Sequence, residues 1–189
     1  YEFYLKAKHK YAKRENKDNV EIVRGLLNKA IELDDNLISA KNLLGTTYRE
    51  MGDYDEAMEI FTAALTQAKE IGDKVGMGYS LNSIGIVYAY KCDYDKALDY
   101  YDRSLAIREE LGDKRGIGQN LGNIGNVHTN KGDYENALDY YERSLAIREE
   151  LGDKHGMGFS LHNIGIMYEY KGEYDKALDY FERSFAIYE

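Results

Sequence analysis

Three observations predict an all-α solenoid of stacked antiparallel helix hairpins. The chain of 189 residues contains 18 glycines and no proline, so its helices must be punctuated by glycine and aspartate rather than by the commonest helix breaker. Small and aromatic residues recur at intervals of 40: Gly45, Gly85, Gly125 and Gly165; Tyr54, Tyr94, Tyr134 and Tyr174; Ala57, Ala97, Ala137 and Ala177. Residues 81–120 and 121–160 are identical at roughly two thirds of their positions, a self-similarity that marks a tandem array.

The elements follow in order. Residues 1–37 are looser than the rest: "YEFYLKAKHKYAKRENKDN" reads as an irregular helix with a long turn, and "NVEIVRGLLNKAIELDDN" as its partner. From there each period holds two helices, A then B. Leu81, Ile84, Gly85 and Tyr88 form an i, i+3, i+4, i+7 stripe on one helical face. "KCDY" supplies the turn, with Asp93 placed to cap helix B. Helix B carries Tyr94, Ala97, Leu98, Tyr101, Leu105 and Ile107 and ends at "LGDK". Gly112 suits the left-handed position after that helix, and Asp113 suits the cap of the next. The expected repeats are 1–37 (degenerate), 38–73, 74–113, 114–153 and 154–189, the last helix being truncated. The chain opens at Tyr1 and ends within the apolar periodic stretch "FAIYE", and is read as a fragment of a longer protein. One hairpin cannot bury both of its apolar faces, so neighbours must stack.

The residues at these positions carry a family resemblance. Gly85, Tyr88, Tyr94, Ala97 and Tyr101 match the small and aromatic pattern of the tetratricopeptide repeat (TPR), and Gly45, Tyr48, Gly52, Tyr54, Ala57, Phe61 and Ala64 match it more fully. The resemblance implies a right-handed superhelix that presents helix A on a concave face. The period of 40 departs from the family's usual length, and "GDK" stands where its proline is expected. That variant is similar to the repeats of spindle-orientation adaptors and of many bacterial signalling proteins. In the first hairpin Asp35 occupies the proline's place, and "YLKAKHKYAKR" with "AIELDDN" resembles the first repeat in some bacterial nucleotide cyclases and related regulators.

Composition and motifs exclude several chemistries. A net charge of −9 disfavours sequence-independent binding to nucleic acid or anionic lipid. No apolar run approaches a membrane-spanning length and no signal peptide is visible. The single cysteine, Cys92, suits a reducing compartment, so a cytoplasmic setting is expected. "GIGQNLGNIGNV" (Gly116 to Val127) imitates a dinucleotide turn, but a helical period precedes it where a strand is needed. Gly76 and Gly78, and Gly156 and Gly158, share the register of Gly116 and Gly118, so these glycines belong to the repeat and let helix B approach closely. His155 and His162 lack further ligands for a metal. His128 replaces the core tyrosines Tyr48, Tyr88 and Tyr168. Cys92 replaces the turn glycines Gly52, Gly132 and Gly172. The runs "DRSLAIREELGDK" and "ERSLAIREELGDK" read as a solvated face. No catalytic residue, cofactor site or metal site is expected.

Differences among the copies locate the expected function. Helix B hardly varies, whereas helix A reads "LNSIGIVYAY", "LGNIGNVHTN" and "LHNIGIMYEY" in successive copies. The expected peptide-binding surface comprises Tyr79, Asn82, Ile86 and Tyr90, then Gln119, Asn123, Asn126 and Asn130, then Phe159, His162, Asn163, Ile166 and Tyr170. Asparagine and glutamine both donate to and accept from a peptide backbone, and the aromatic residues supply area. The lysines of a chaperone-type carboxylate clamp are missing, with Asn82, Ile86, Gly122 and Asn126 in those places, so an acidic chain terminus is not the expected ligand. Alanine at Asn126 and Asn130 is expected to weaken binding and leave melting nearly unchanged.

The chain is thus expected to be a non-enzymatic scaffold of a larger cytoplasmic regulatory protein, binding a protein segment along helix A. Alternatives are the regulatory arm of a signalling enzyme such as a nucleotide cyclase, a receptor module for a peptide pheromone, and self-association through the truncated last helix.

Overall fold

The computed structural model describes residues 1–13 and 18–187. The long turn expected after the first helix falls largely on residues 14–17, and the end of the last helix on 188–189, outside the described residues. Ten α-helices and no strand occur among the described residues. They form two compact units, Tyr1–Lys91 and Cys92–Glu189. The first holds α1 (Glu2–Ala12), α2 (Asp18–Leu33), α3 (Ile38–Met51), α4 (Tyr54–Ile71) and α5 (Lys74–Tyr90). The second holds α6 (Tyr94–Leu111), α7 (Lys114–Asn130), α8 (Tyr134–Glu150), α9 (Lys154–Tyr170) and α10 (Tyr174–Ala186). Odd-numbered helices are the A helices of the repeat, and even-numbered helices the B helices.

Local chemistry sets the boundaries. Asp73, Asp113 and Asp153 accept from the backbone N–H of Gly76, Gly116 and Gly156 at 2.9, 3.0 and 3.2 Å, capping α5, α7 and α9. Asp93 and Asp133 cap α6 and α8 through the N–H of Lys96 and Asn136. At the end of α6, Gly112 takes a φ of 65°, and Asp113 N–H returns to the carbonyl of Arg108 at 2.9 Å. Cys92 sits at a φ of 59°, the one non-glycine residue with positive φ among those described. Left-handed backbone costs an L-residue about 1–2 kcal/mol, so the cysteine at this turn is strained where Gly52, Gly132 and Gly172 are not.

Within a hairpin the two helices meet at a glycine. A Cβ on Gly125 would stand 2.7 Å from the Tyr141 ring, on Gly45 2.7 Å from Phe61, and on Gly165 2.6 Å from Phe181. Phe61 is fully buried and Tyr141 is 1% exposed, so neither ring can retreat. Serines pin the same helix pairs: Ser144 Oγ donates to the Gly118 carbonyl at 2.7 Å, and Ser184 Oγ to that of Gly158 at 2.8 Å. In the first unit Ala7, Val23, Leu27, Ala30, Ala40 and Leu44 form one core, and Ile38, Ala64 and Ala68 another, against Met77. In the second, Ala137, Tyr141, Leu145, Leu161, Ile164 and Met167 pack together.

The glycines early in helix A have a related but distinct reason. A Cβ on Gly116 would collide with the Asp113 carboxylate and with Arg108, 2.7 Å from its Cδ, and one on Gly156 with Asp153 and Arg148. The capping aspartate and an arginine of the preceding B helix therefore fill the space that the absent side chain leaves, and the close approach is made by side chains. A Cβ on Gly118 would meet only ordinary contacts, the nearest 3.4 Å from Ile147.

Two substitutions of opposite sign test this account. Gly125→Ala should destabilise the protein by about 1–3 kcal/mol through overpacking. Cys92→Gly should stabilise it by about 1 kcal/mol, raising the melting temperature by roughly 2–4 °C. Thermal unfolding followed by circular dichroism reads both, and equal melting of the two variants would refute the scheme.

Candidate functional site

The A helices line two clefts, one in each unit. In the first unit a cleft of 360 Å³ is walled by Tyr4, Lys8 and Tyr11 of α1, Ser39, Asn42 and Leu43 of α3, and Val75, Gly76 and Tyr79 of α5, with Asp73 at its edge. Val75 is 70% exposed and Tyr79 41%, so apolar and phenolic surface faces solvent there. Beneath it Ser80 Oγ donates to Asn42 Oδ1 at 2.8 Å, and Asn42 is 3% exposed. In the second unit a cleft of 350 Å³ is lined by Arg115, Gln119, Gly122 and Asn123 of α7, Arg148 of α8, and His155, Gly156 and Phe159 of α9, with Asp153 just before that helix. A wider depression of 680 Å³ lies mostly over α4, between residues such as Met58, Thr62 and Glu70; the polar groups that meet at its edge satisfy one another, Lys41 donating to Asp35 at 2.6 Å and to Gln67, and Gln67 donating to Asp35 at 3.0 Å.

The residues expected to bind a peptide divide into four groups. Tyr79 walls the first cleft, and Gln119, Asn123 and Phe159 line the second. Asn82, expected at the surface, is only 4% exposed and belongs to the interior. Asn126 turns inward, accepting from the Tyr141 hydroxyl at 2.7 Å, and that hydroxyl also lies 3.1 Å from Thr129 Oγ1. The Asn163 amide nitrogen is buried without a hydrogen-bond partner among the described residues. Ile86 and Ile166 are half-buried, while His162 and Asn130 are exposed; the His162 ring leans on Phe181 with centroids 5.4 Å apart. Tyr90 and Tyr170 are exposed by 61% and 58%, but one face of each ring is engaged. Tyr90 stacks on Tyr54 at 5.4 Å and Tyr170 on Tyr134 at 4.7 Å. These two positions join successive hairpins. Asn130 holds the same register as Tyr90 and Tyr170, so the step at Tyr94 has no ring pair.

A tetratricopeptide repeat model matches residues 36–110 and 117–189. The chain belongs to the tetratricopeptide repeat family. No curated relative matches it significantly. Among solved structures it is similar to BtubC (BKLC) from P. vanneervenii, at 23% identity and a TM-score of 0.77, covering 96% of this chain and 76% of that one. It is similar to a signal-transduction ATPase with a tetratricopeptide repeat sensor from Pyrococcus horikoshii, at 20% identity and a TM-score of 0.84, covering 98% of this chain and 29% of the other. It also matches a Rap protein complexed with competence and sporulation factor, at 17% identity and a TM-score of 0.85, covering 98% of this chain and 52% of that one. At such identities these likenesses establish the fold, an α-solenoid of TPR hairpins.

The remaining sequence candidates have structural settings. His128, stacked on Tyr140 at 5.3 Å, contacts Asp133 Oδ2 through Nδ1 at 3.1 Å. The Asn136 amide, and then His128, hold the Asp133 carboxyl below its usual range. The dinucleotide-like stretch lies wholly within α7, where Gly116 N–H is bound to Asp113 and the Gly118 carbonyl to Ser144. Among the described residues no three His, Cys, Asp or Glu side chains gather as a metal site, and no helix is long and apolar enough to cross a membrane.

Sequence comparison overlooked the cationic part of the second cleft and most of the first. Arg148 sits in a B helix nearly identical to α6, yet its Nη1 donates to the Gly156 carbonyl at 2.6 Å and its guanidinium lies 5.5 Å from the Phe159 ring centroid. Burial lowers its pKa, while the arginine stays cationic at neutral pH. The detectable clue was Gly122, the bare position opposite it.

Asn126 and Asn130 should now behave differently. Asn126→Ala removes an acceptor from a buried phenol and should cost about 1 kcal/mol. Asn130→Ala should change stability by no more than about 0.5 kcal/mol. Burial pushes the Tyr141 pKa from its ordinary 10.0 up to about 12. The fold therefore favours neutral tyrosine, and that contribution is complete below pH 10.0 and lost as pH rises through about 12. The stability of wild type minus that of Tyr141→Phe should fall across this window in urea titrations; a constant difference would refute the assignment.

Proposed function

We propose that this TPR array is a non-enzymatic, cytoplasmic scaffold within a larger regulatory protein, and that it binds an extended or helical peptide segment along its A helices. One observation carries the reading: in both clefts nearly all the lining residues come from A helices, and in the last three copies the A helices differ while α6, α8 and α10 hardly change. Tyr79, Val75, Tyr4 and Tyr11 would supply apolar contact in the first unit. Gln119, Asn123 and Phe159 would supply amide hydrogen bonds and stacking in the second. Of the other expected residues, Asn130 and His162 are exposed enough to extend that surface.

The Rap structure, with its bound competence and sporulation factor, supports the peptide-receptor form of this reading. The ATPase with a TPR sensor supports the alternative of a sensory arm on a signalling enzyme, such as a nucleotide cyclase. The chain spans only 52% and 29% of those two proteins, so the parent architecture belongs to the proposal. A second reading, end-to-end self-association, is favoured by α10. Leu145 of α8 is 8% exposed beneath α9, whereas Phe185, in the same register on α10, is 67% exposed beside Leu178 at 58%. Light scattering that returns monomer at every concentration would eliminate it.

The test is selection of a random twelve-residue phage library on the purified chain, followed by fluorescence polarisation with the enriched peptides. Tyr79→Ser should weaken peptides that occupy the first cleft, and Gln119→Ala those that occupy the second, by about 1 kcal/mol or more, since hot-spot contacts cost at least that, with melting unchanged. Unaltered affinity in both variants, or no binder at all, would overturn the reading.

A further inference from the structure

We propose that the cleft of the second unit holds a carboxylate, the side chain of an aspartate or glutamate in the bound segment. The inference rests on the peptide-binding reading above and names the chemistry of one subsite. Gly122 creates the opening. Its neighbours in register are Asn82 and His162, but here a Cβ would stand 3.4 Å from Arg148 Nη2, 3.7 Å from Ser144 Oγ and 3.9 Å from the Phe159 ring. A side chain at this point would cover the guanidinium, and without one the cleft reaches it.

Arg148 is held ready for an anion. The bond from Nη1 to the Gly156 carbonyl and the Phe159 ring beside it fix the guanidinium plane, leaving little side-chain entropy to lose on binding. Arg108, in the same register on α6, is 5% exposed, whereas Arg148 is half-buried and lines the cleft. Arg115 and His155 stand at the rim, and the Gln119 and Asn123 amides complete the lining. The one acidic lining residue is Asp153, whose Oδ1 accepts from Gly156 N–H at 3.2 Å. Nearby, Lys114 is paired with Glu150. Two arginines therefore face one engaged carboxylate, and a monoanion completes the balance.

Phosphate fits less well. It is best received by several converging backbone N–H groups, and here those of Gly116 and Gly156 are bound to their capping aspartates. Asp153 would also repel a dianion more strongly than a monoanion.

The test uses the peptides selected on the wild-type chain, each made with its aspartate and glutamate residues and again with asparagine and glutamine in their place. Acidic residues should be enriched at one position, and the amide analogue should bind at least about tenfold more weakly, the loss expected when a charge-assisted hydrogen bond is removed. Arg148→Gln should reduce affinity for the acidic peptide to that of its amide analogue. Because Arg148 also braces Gly156, Gly122→Asn provides a second arm. It covers the guanidinium with the residue the chain itself uses at Asn82 and should produce the same loss with unchanged melting. Binders that show no acidic preference and bind equally as amides would overturn the inference while leaving the groove intact. Absence of any binder would overturn both.

Discussion

The contact between a glycine of helix A and an aromatic ring of helix B sets the geometry of the hairpins described here. Gly45 on Phe61, Gly125 on Tyr141 and Gly165 on Phe181 leave no room for a methyl group, so each of these pairs of helices closes onto a ring at the glycine. The serines at 144 and 184 then fix the axial register by reaching the carbonyls of Gly118 and Gly158. With these contacts in place other helix A positions vary between copies, and some of that variation reaches helix B: Asn126, where the other copies carry Ile86 and Ile166, accepts from the Tyr141 hydroxyl at 2.7 Å.

Between successive hairpins the apolar core continues, Tyr141 and Leu145 of α8 packing on Leu161, Ile164 and Met167 of α9, and local contacts along the edge add to it. Lys91 pairs with Asp55, and Lys131 with Asp95 at 2.9 Å, the same step in two copies. Such exposed ion pairs contribute about 0–1 kcal/mol each. The ring pairs Tyr54–Tyr90 and Tyr134–Tyr170 occupy the same edge, and pairs of this kind contribute about 0.5–1.5 kcal/mol beyond their area. Asn130 removes the ring from one step while Lys131 keeps the ion pair. The adjoining turn also holds the left-handed Cys92, so two of the array's repeating devices are weakened around Tyr94.

Much of the fold was legible because its rules are short-range. Asp93, Asp113 and Gly112 do what capping chemistry requires, and Gly125 meets a ring because the register of both helices places it there. The site was legible only in part. Gln119, Asn123 and Phe159 line one cleft, but Asn82 and Asn126 lie on the same helical stripe and are buried or turned inward. Burial at those positions depends on what the neighbouring helices bring, notably the Tyr141 hydroxyl that claims Asn126. Tyr4 and Tyr11 lie in a hairpin with no copy in register, so comparison between repeats had nothing to set beside them. Arg148 was hidden for the opposite reason. It belongs to the most uniform segment of the chain, and uniformity reads as a solvated face until a neighbouring side chain is missing.

That missing side chain is also how a chain of net charge −9 can select an acidic partner under the proposal above. At long range the net charge repels such a segment, through solvent in which the Debye length is about 8 Å at physiological ionic strength. At the cleft, attraction acts at hydrogen-bond distance on a half-buried guanidinium, where screening is weaker. Added salt therefore reduces the repulsion more than the attraction, opposite to the behaviour of a basic surface that collects acidic ligands by its overall field. Specificity then depends on one opening at Gly122 rather than on the charge of the array.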